Sequence, residues 1–420
     1  MRYWLETLGC PKNQVDSDKL AGVIEADGFE PAPAPEEADL VVVNTCAFIE
    51  AARQESVETV LELSQARRPG ARLVVTGCMA ERYGPELSAA LPEVDLVAGF
   101  GVPVHLTVKE KDRAAAPVPS FDLLNLPRPP AKAPWAYVKV AEGCDRKCGF
   151  CAIPSFRGRQ RSRRPDEVLA EVDSLGVEEV VLVAQDLASY GRDLGLRRGI
   201  VPLVRAVAAR VARVRLLYLY PSELTDGLID VMGETGCPYF DLSLQHVARP
   251  HLRRMRRWGD GDRFLARIAR VREQHPDAAL RSSFIVGYPG ETEEDHDQLL
   301  AFIEEADLDW AGFFSFSPEE GTLAAGLTDQ VPASLVSERL AECGEAQDAI
   351  TARRRQELVG RRVTVLVDAP GVARSHREAP EIDGVVRVPE SLAPGGWVDV
   401  VVAGAEGPDL EAAPAPAGSP

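Results

Sequence analysis

Three cysteines in one short loop constrain this chain more than any other feature of its sequence. The stretch GCDRKCGFC, residues 143–151, gives Cys144, Cys148 and Cys151 the spacing C-x-x-x-C-x-x-C. It follows directly on the apolar run WAYVKVAE, which has the pattern of a buried β-strand. Loops at the carboxyl ends of parallel strands carry the active sites of βα barrels, so we expect this loop to be functional.

The order of apolar and amphipathic segments predicts an α/β chain with three blocks. In residues 1–110, apolar runs alternate with helix-like segments, which predicts a doubly wound parallel sheet. In residues 130–356, six further strand-like runs alternate with helical patterns and predict a partial βα barrel. Residues 357–410 hold short Val-rich runs and predict a small β-barrel. Residues 113–133 are rich in Pro and Ala and predict a linker, and the tail PDLEAAPAPAGSP is predicted to be disordered.

Composition limits where the chain works and what it binds. The chain has no apolar run of about 18 residues and no signal-peptide pattern at its start, so we expect a cytoplasmic protein without a membrane span. Its eight cysteines are then expected to be metal ligands or reactive thiols rather than disulfides. The formal net charge is −18, from 47 basic and 65 acidic side chains, which favours a basic protein partner over nucleic acid.

The cysteine spacing in the loop indicates an iron–sulfur site. Three thiolates on so short a loop can bind three irons of a four-iron cluster and leave the fourth iron without a protein ligand. That iron can be chelated by S-adenosylmethionine, so Cys144, Cys148 and Cys151 are the predicted metal ligands and catalytic residues. The alternative is a structural zinc site, which usually takes four Cys or His ligands, and no second cysteine pair accompanies this loop.

Three further cysteines each end an apolar run. Cys10, Cys46 and Cys78 close the stretches TLGC, VNTC and VTGC. If these runs are neighbouring parallel strands, their carboxyl ends meet in the crevice where open α/β sheets bind ligands, and the thiols converge on a second metal site. The alternative is that each cysteine is a small buried apolar residue.

Two cysteine trios, on an α/β domain and on the barrel that follows it, resemble the methylthiotransferase family of radical SAM enzymes over nearly the whole chain. The resemblance implies an N-terminal methylthiotransferase domain with an auxiliary cluster, a radical SAM domain and a C-terminal TRAM domain, in the order of the three blocks. It also implies two 4Fe-4S clusters and S-adenosyl-L-methionine as cofactors, and the replacement of an unactivated C–H bond by C–S–CH3.

Short stretches in all parts of the chain resemble the branch of this family that modifies a ribosomal protein, the RimO branch. They are LGCPKNQVDSDKL, VLVAQDLASYG, LLYLYPSE, DLSLQH, SPEEGT and REAPEIDG. The resemblance implies that the substrate is the β-carbon of one aspartate in small-subunit ribosomal protein S twelve. It further implies a reducing electron donor such as flavodoxin or ferredoxin and no direct tRNA substrate.

The charge of the last block agrees with a basic protein partner. Residues 361–411 carry five arginines against nine carboxylates, the wrong sign for gripping a nucleic-acid backbone. A tRNA adenosine methylthiotransferase and a non-catalytic iron–sulfur protein are the alternative functions.

Four residues are predicted to contact S-adenosylmethionine. Gln185 ends the second barrel strand, and Ile285 and Gly287 lie in IVGYPGET, whose glycines let the backbone approach a ligand. Arg157, in the basic run FRGRQRSRR, is expected to neutralise the carboxylate of S-adenosylmethionine or the cluster. The alternatives are a loop cap at Gln185, a tight turn at Ile285 and Gly287, and a solvated face at Arg157.

Overall fold

The computed structural model describes residues 1–100, 102 and 122–416 of the chain. The linker predicted at 113–133 therefore lies partly outside the described residues. Within the described ranges, no helix combines the length and the apolar character needed to cross a membrane.

The N-terminal block is a parallel sheet with helices on both faces, as predicted. Its strands are β1 (Arg2–Thr7), β2 (Glu30–Pro31), β3 (Leu40–Thr45), β4 (Arg72–Gly77) and β5 (Leu96–Ala98), in the spatial order β2-β1-β3-β4-β5. The connecting helices are α1 (Pro11–Ala26), α2 (Glu50–Ala66) and α3 (Cys78–Ala90). Helix α1 packs on one face and α2 and α3 on the other, which explains why β3 is apolar over most of its length. The strand order reverses between β1 and β3.

The central block is the predicted partial βα barrel. Its six parallel strands form two sheets, β6 (Trp135–Lys139), β9 (Glu179–Val183) and β10 (Arg213–Leu216), then β11 (Tyr239–Gln245), β12 (Ala279–Val286) and β13 (Trp310–Ser315). A parallel bridge between Leu219 and Leu242 joins the two sheets. Between β6 and β9 the chain forms the two-stranded antiparallel sheet of β7 (Ala141–Glu142) and β8 (Arg161–Ser162).

The short helix α4 (Ile153–Arg157) follows the cysteine loop and packs against α3 of the N-terminal block. The other helices follow the barrel strands and cover their outer surface: α5 (Pro165–Leu175), α6 (Ile200–Ala208), α7 (Asp226–Glu234), α8 (Arg249–Arg254), α9 (Gly261–Gln274), α10 (Glu293–Ala306) and α11 (Ala333–Gln356). Helix α10 shows how the sequence directs them: Thr292 and Asp295 form a capping box. Its buried residues Leu299, Phe302 and Ile303 recur with helical spacing and pack into the apolar layer outside the strands.

The C-terminal block is the predicted small barrel, closed in the order β14-β15-β16-β18-β17. Its strands are β14 (Arg362–Ala369), β15 (Val372–Arg374), β16 (Val386–Arg387), β17 (Trp397–Glu406) and β18 (Asp409–Pro414). The prediction of a disordered tail was wrong for β18. This strand pairs with β17 and buries Leu410, which is 1% exposed, so the last strand passes the predicted domain end at residue 410.

A segment of the C-terminal block, residues 374–383, closes one end of the central barrel, and we call it the base segment. Arg374 Nη1 lies 3.0 Å from the carboxylate of Glu179, at the start of β9. Tyr239, at the start of β11, donates to Asp383 at 2.6 Å, and Trp310, at the start of β13, donates to the Arg377 carbonyl at 2.8 Å. The base segment therefore covers the amino ends of the strands, opposite the cysteine loop.

Candidate active site

The barrel cysteine loop begins where β7 ends. Gly143 has a φ of +75°, and a Cβ at this position would lie 2.2 Å from the carbonyl oxygen of Arg159. The amide of Cys144 donates to the carbonyl of Gly158 at 3.1 Å, which holds the two limbs of the loop together. Only glycine allows this close approach before the first cysteine.

Two thiols of this loop, Cys144 and Cys151, are held in the protonated form in the absence of a metal. Burial raises the pKa of Cys144 to about 11 and that of Cys151 to about 12. The charge of Cys148 is a smaller contribution to both values, so its sulfur acts on the other two. Metal binding would therefore displace protons from these thiols.

Two arginines missed by the sequence analysis stand beside this loop. Arg257 Nη1 lies 3.6 Å from the sulfur of Cys148, and its guanidinium stacks 4.0 Å from the centre of the Tyr220 ring. Arg146, between the cysteines, stacks on the same ring at 3.9 Å and pairs with Asp186 at 2.6 Å. Arg257 lies beyond β11 in the sequence, so spacing around the cysteines gave no signal for it.

The N-terminal cysteines lie where the sequence predicted them, at the carboxyl edge of the sheet. Cys10 follows β1, Cys46 follows β3, and Cys78 begins α3 directly after β4. The side chain of Asn13 joins two of these loops, because it donates to the carbonyls of Leu8 at 2.9 Å and Thr45 at 3.1 Å. The switch point of the sheet thus gathers three thiols that are distant in sequence.

The three N-terminal thiols have unequal acidities. Burial, together with the charges of Cys10 and Cys78, raises the pKa of Cys46 to about 12. Burial also opposes ionisation of Cys10, but the Lys12 and Arg157 cations outweigh it and lower the pKa of that thiol. Cys10 is thus the most readily ionised member of the trio.

Arg157 lies on the N-terminal trio, whereas the sequence analysis expected it at S-adenosylmethionine or the barrel cluster. Its Nη2 lies 2.9 Å from Cys78 Sγ and 2.8 Å from Asn13 Oδ1, and its Nη1 contacts both carboxylate oxygens of Glu142 at 2.9 Å. Although burial opposes it, Arg157 and Lys139 hold the pKa of Glu142 well below its usual range. The alternative of a solvated face is wrong, because Arg157 is buried.

The other predicted cofactor contacts lie around the barrel mouth. Gln185 donates to Glu142 at 2.6 Å, and its buried Oε1 has no hydrogen-bond partner among the described residues. Ile285 packs in a small apolar cluster that includes Phe150 of the cysteine loop. Gly287 has a φ of +78°, its amide donates to Glu291 at 2.8 Å, and a Cβ would lie 2.4 Å from Val336, so packing alone requires glycine there.

The motif SPEEGT fixes the N-terminal domain to the barrel. Glu319 is 2% exposed, and its carboxylate pairs with Arg53 at 2.5 Å and with Arg82 at 2.6 Å. These arginines belong to α2 and α3, so one buried carboxylate links the strand end after β13 to both helices. The sequence analysis used this motif only as a resemblance.

In the described ranges, no three His, Cys, Asp or Glu side chains are arranged around a position for a single metal ion. Thiolates are, however, the ligands that iron–sulfur clusters take, and a cluster binds each thiolate through a different iron. The donor sets of both trios fit such a group.

Comparison with known proteins places these features in families. Residues 2–99 match the Uncharacterized protein family UPF0004, residues 138–303 match the Radical SAM superfamily, and residues 359–414 match the TRAM domain. The ribosomal protein uS12 methylthiotransferase RimO of Streptomyces coelicolor is 42% identical over 473 aligned positions, covering 98% of this chain and 96% of the relative. The chain belongs to the RimO family. A second member of the RimO family, from Moorella thermoacetica, is 44% identical over 410 positions, covering 94% of this chain and 95% of the relative.

Membership of the RimO family identifies the chain as a radical SAM methylthiotransferase. Its radical SAM domain accounts for an iron–sulfur cluster and S-adenosyl-L-methionine as cofactors. The match begins at residue 138 and so includes Cys144, Cys148 and Cys151.

Proposed function

We propose that this chain methylthiolates the β-carbon of an aspartate in ribosomal protein uS12. The observation that carries the proposal is the position of Arg157, which contacts Cys78 of one trio and Glu142, two residues before the first cysteine of the other. Two metal sites joined in this way can act on one substrate atom. The names of relatives that are 42% and 44% identical support uS12 as the substrate.

Each trio is proposed to hold one 4Fe-4S cluster. Cys144, Cys148 and Cys151 are the proposed ligands in the barrel, and Cys10, Cys46 and Cys78 are those in the N-terminal domain. When bound, the barrel cluster with S-adenosylmethionine supplies the hydrogen-abstracting radical, and the second cluster supplies sulfur. Arg257 near Cys148 and Arg157 at Cys78 place positive charge beside the proposed ligand sulfurs.

The target side chain is proposed to enter at the carboxyl end of the barrel strands. The base segment fills the amino end, where Glu179 is fully buried among arginines. This leaves the mouth between the two trios as the route of entry. A site closed at its far end also limits water, which protects reactive intermediates.

Gln185 and Ile285 remain proposed contacts of S-adenosylmethionine. The buried Oε1 of Gln185 offers an acceptor to an amino group, and Ile285 offers apolar surface beside Phe150. Gly287 stays a proposal on weaker grounds, because its amide already donates to Glu291. Arg157 is now proposed to serve the N-terminal trio.

The partner surface is proposed to be the outer face of the C-terminal barrel. Three carboxylates of this block do not contribute to the outer face, because each pairs with an arginine on the inner side. The pairs are Asp368 with Arg374, Glu378 with Arg355 and Asp383 with Arg281. The exposed carboxylates are Glu381, Glu390, Asp399, Glu406 and Glu411. Three exposed arginines, Arg361, Arg362 and Arg387, do not balance them, so the surface stays acidic and can attract a basic ribosomal protein.

The reaction is proposed to take place in the cytoplasm with a reducing donor such as flavodoxin or ferredoxin. All eight cysteines are free thiols, as expected in a reducing compartment. A tRNA substrate stays the second candidate, and the acidic outer face disfavours it.

One anaerobic experiment separates these functions. The reconstituted enzyme is incubated with S-adenosylmethionine, a reductant and sulfide, in one reaction with purified uS12 and in another with tRNA. The uS12 and the tRNA are then examined by mass spectrometry. We expect a methylthio group on an aspartate of uS12, together with 5′-deoxyadenosine and S-adenosylhomocysteine. Modified tRNA with unmodified uS12 would refute the proposal. The triple variant of Cys10, Cys46 and Cys78 is the control, because it should lose modification while retaining S-adenosylmethionine cleavage.

A further inference from the structure

Lys12 is a half-buried cation that no carboxylate contacts among the described residues. Its ammonium lies 3.5 Å from the centre of the Tyr218 ring, and among the described residues no carboxylate or hydrogen-bond acceptor contacts it. Two other buried lysines are satisfied in full: Lys19 pairs with Glu171 at 3.2 Å, and Lys139 pairs with Glu142 at 2.6 Å and with Asp16. Lys12 alone among these three has no carboxylate partner, and the thiols of Cys10 and Cys78 are the proposed cluster ligands that act on its charge.

Helix stability does not explain a lysine at this position. Lys12 is the second residue of α1, where the positive end of the helix dipole disfavours a cation. The first turn of α1 has no acidic residue to offset it. A residue that is locally unfavourable, close to a candidate active site, indicates a role in function rather than in folding.

The ring under Lys12 is held in a strained position at the barrel mouth. Tyr218 follows β10 and has a φ of +64°, which non-glycine residues rarely adopt. Its amide donates to Asp241 at 2.9 Å, and Asp241 also pairs with Arg281 at 3.0 Å. Arg281 and the Tyr218 amide take up the Asp241 carboxylate, which therefore makes no direct contact with Lys12. Strain of this kind persists where surrounding contacts enforce it, often at ligand sites.

Lys12 also lies between the two halves of the site. It is two residues from Cys10, and its ring partner belongs to the barrel strand end. We propose that the Lys12 ammonium binds the side-chain carboxylate of the substrate aspartate and, together with the Tyr218 ring, holds its β-carbon toward the N-terminal trio. This inference rests on the proposed function. A carboxylate gives the ammonium a counter-charge in this partly desolvated site, which a neutral side chain does not, so Lys12 favours a carboxylate.

The test measures binding as well as turnover, with two substrates that differ in one charge. The holoenzyme is titrated with uS12 and with uS12 in which the target aspartate is changed to Asn. A charge-assisted hydrogen bond predicts a preference for the aspartate form of roughly 10- to 100-fold in Kd. Lys12→Met should reduce this preference to about 1, and Lys12→Arg should keep part of it.

Two controls separate a substrate contact from a structural role. Lys132→Met removes one exposed lysine elsewhere and should leave the preference unchanged. Because Arg157 still contacts the trio in Lys12→Met, this variant should keep the iron content of the wild type after reconstitution with excess iron and sulfide. Loss of iron would show that Lys12 serves the cysteine trio and would overturn the inference.

The remaining outcomes are distinct. Equal binding of both uS12 forms by the wild type, or an unchanged preference in Lys12→Met, would overturn the role of Lys12 and leave the proposed function standing if uS12 is still modified. A wild-type enzyme that neither binds nor modifies uS12 would refute the proposed function and this inference with it.

Discussion

Arg157 Nη2 lies 2.9 Å from the sulfur of Cys78, across the boundary between the N-terminal domain and the barrel. The same guanidinium pairs with Asp16 of α1 at 3.3 Å and with Glu142 at 2.9 Å. One buried side chain thus contacts the elements that carry both cysteine trios. The distance between the two sites is therefore fixed by packing and charge rather than by a flexible tether.

Replacing Arg157 with Met should destabilise the chain by about 3–5 kcal/mol, because Asp16 and Glu142 would then face only the single cation of Lys139. The free energy of unfolding in urea measures the loss. Arg157→Lys should lose less, since it keeps the charge. Arg159→Met is the matched control: its side chain is 92% exposed, and a change above about 0.5 kcal/mol there would contradict the argument.

Replacing Cys144, Cys148 and Cys151 with Ala should halve the iron content and abolish cleavage of S-adenosylmethionine. Replacing Cys10, Cys46 and Cys78 should also halve the iron content but spare cleavage, because each trio is proposed to hold its own cluster. Iron analysis and quantification of 5′-deoxyadenosine measure both effects. Full iron content in either triple variant would rule out two separate clusters.

Gly9→Ala should impair the N-terminal site specifically. Gly9 has a φ of +92°, and a Cβ there would lie 2.8 Å from the Cβ and 2.9 Å from the sulfur of Cys46. We expect about half the iron content of the wild type. Gly28→Ala is the control, because its φ of +86° imposes similar backbone strain with no atom within 4 Å. If both variants lost the same amount of iron, strain alone would be the cause.

Acid should weaken the contact between the base segment and the barrel. Burial disfavours the charged forms of Glu179 and Glu378. The arginines around Glu179, and Arg355 with Ser375 beside Glu378, nevertheless hold the pKa of each at about 2 in the folded chain. A carboxylate with a depressed pKa stabilises the fold fully above its unfolded pKa, about 4.3, and loses that stabilisation as the pH falls toward 2. Each should contribute on the order of 2–3 kcal/mol.

Glu179→Gln tests this pH dependence. Its urea midpoint should fall less steeply than that of the wild type between pH 5 and pH 3, because the variant has one fewer proton to take up. The exposed Glu390→Gln is the control and should follow the wild type. Parallel curves for Glu179→Gln and the wild type would show that the carboxylate contributes nothing over this range.

Local patterns in the sequence predicted the elements, and the parallel order of the strands predicted where their cysteines meet. Cys10, Cys46 and Cys78 were identifiable because each ends an apolar run. The position of Arg157 was not, because the direction of a long side chain across a domain boundary leaves no periodic signal. Strand β18 was missed for another reason: its Ala- and Pro-rich sequence gains order only from pairing with β17.

The base segment makes the C-terminal barrel a poor unit for domain exchange. Arg213 Nη1 donates to the Ser375 carbonyl, and Arg215 Nη1 donates to the His376 carbonyl, each at 2.9 Å. A chimera joined at residue 357 would place a foreign base segment against Arg213 and Arg215. Any mismatch in that segment would leave these buried guanidinium groups without hydrogen-bond acceptors. An exchange of the last domain, made to change the choice of substrate, must therefore also exchange the amino ends of the barrel strands that the base segment covers.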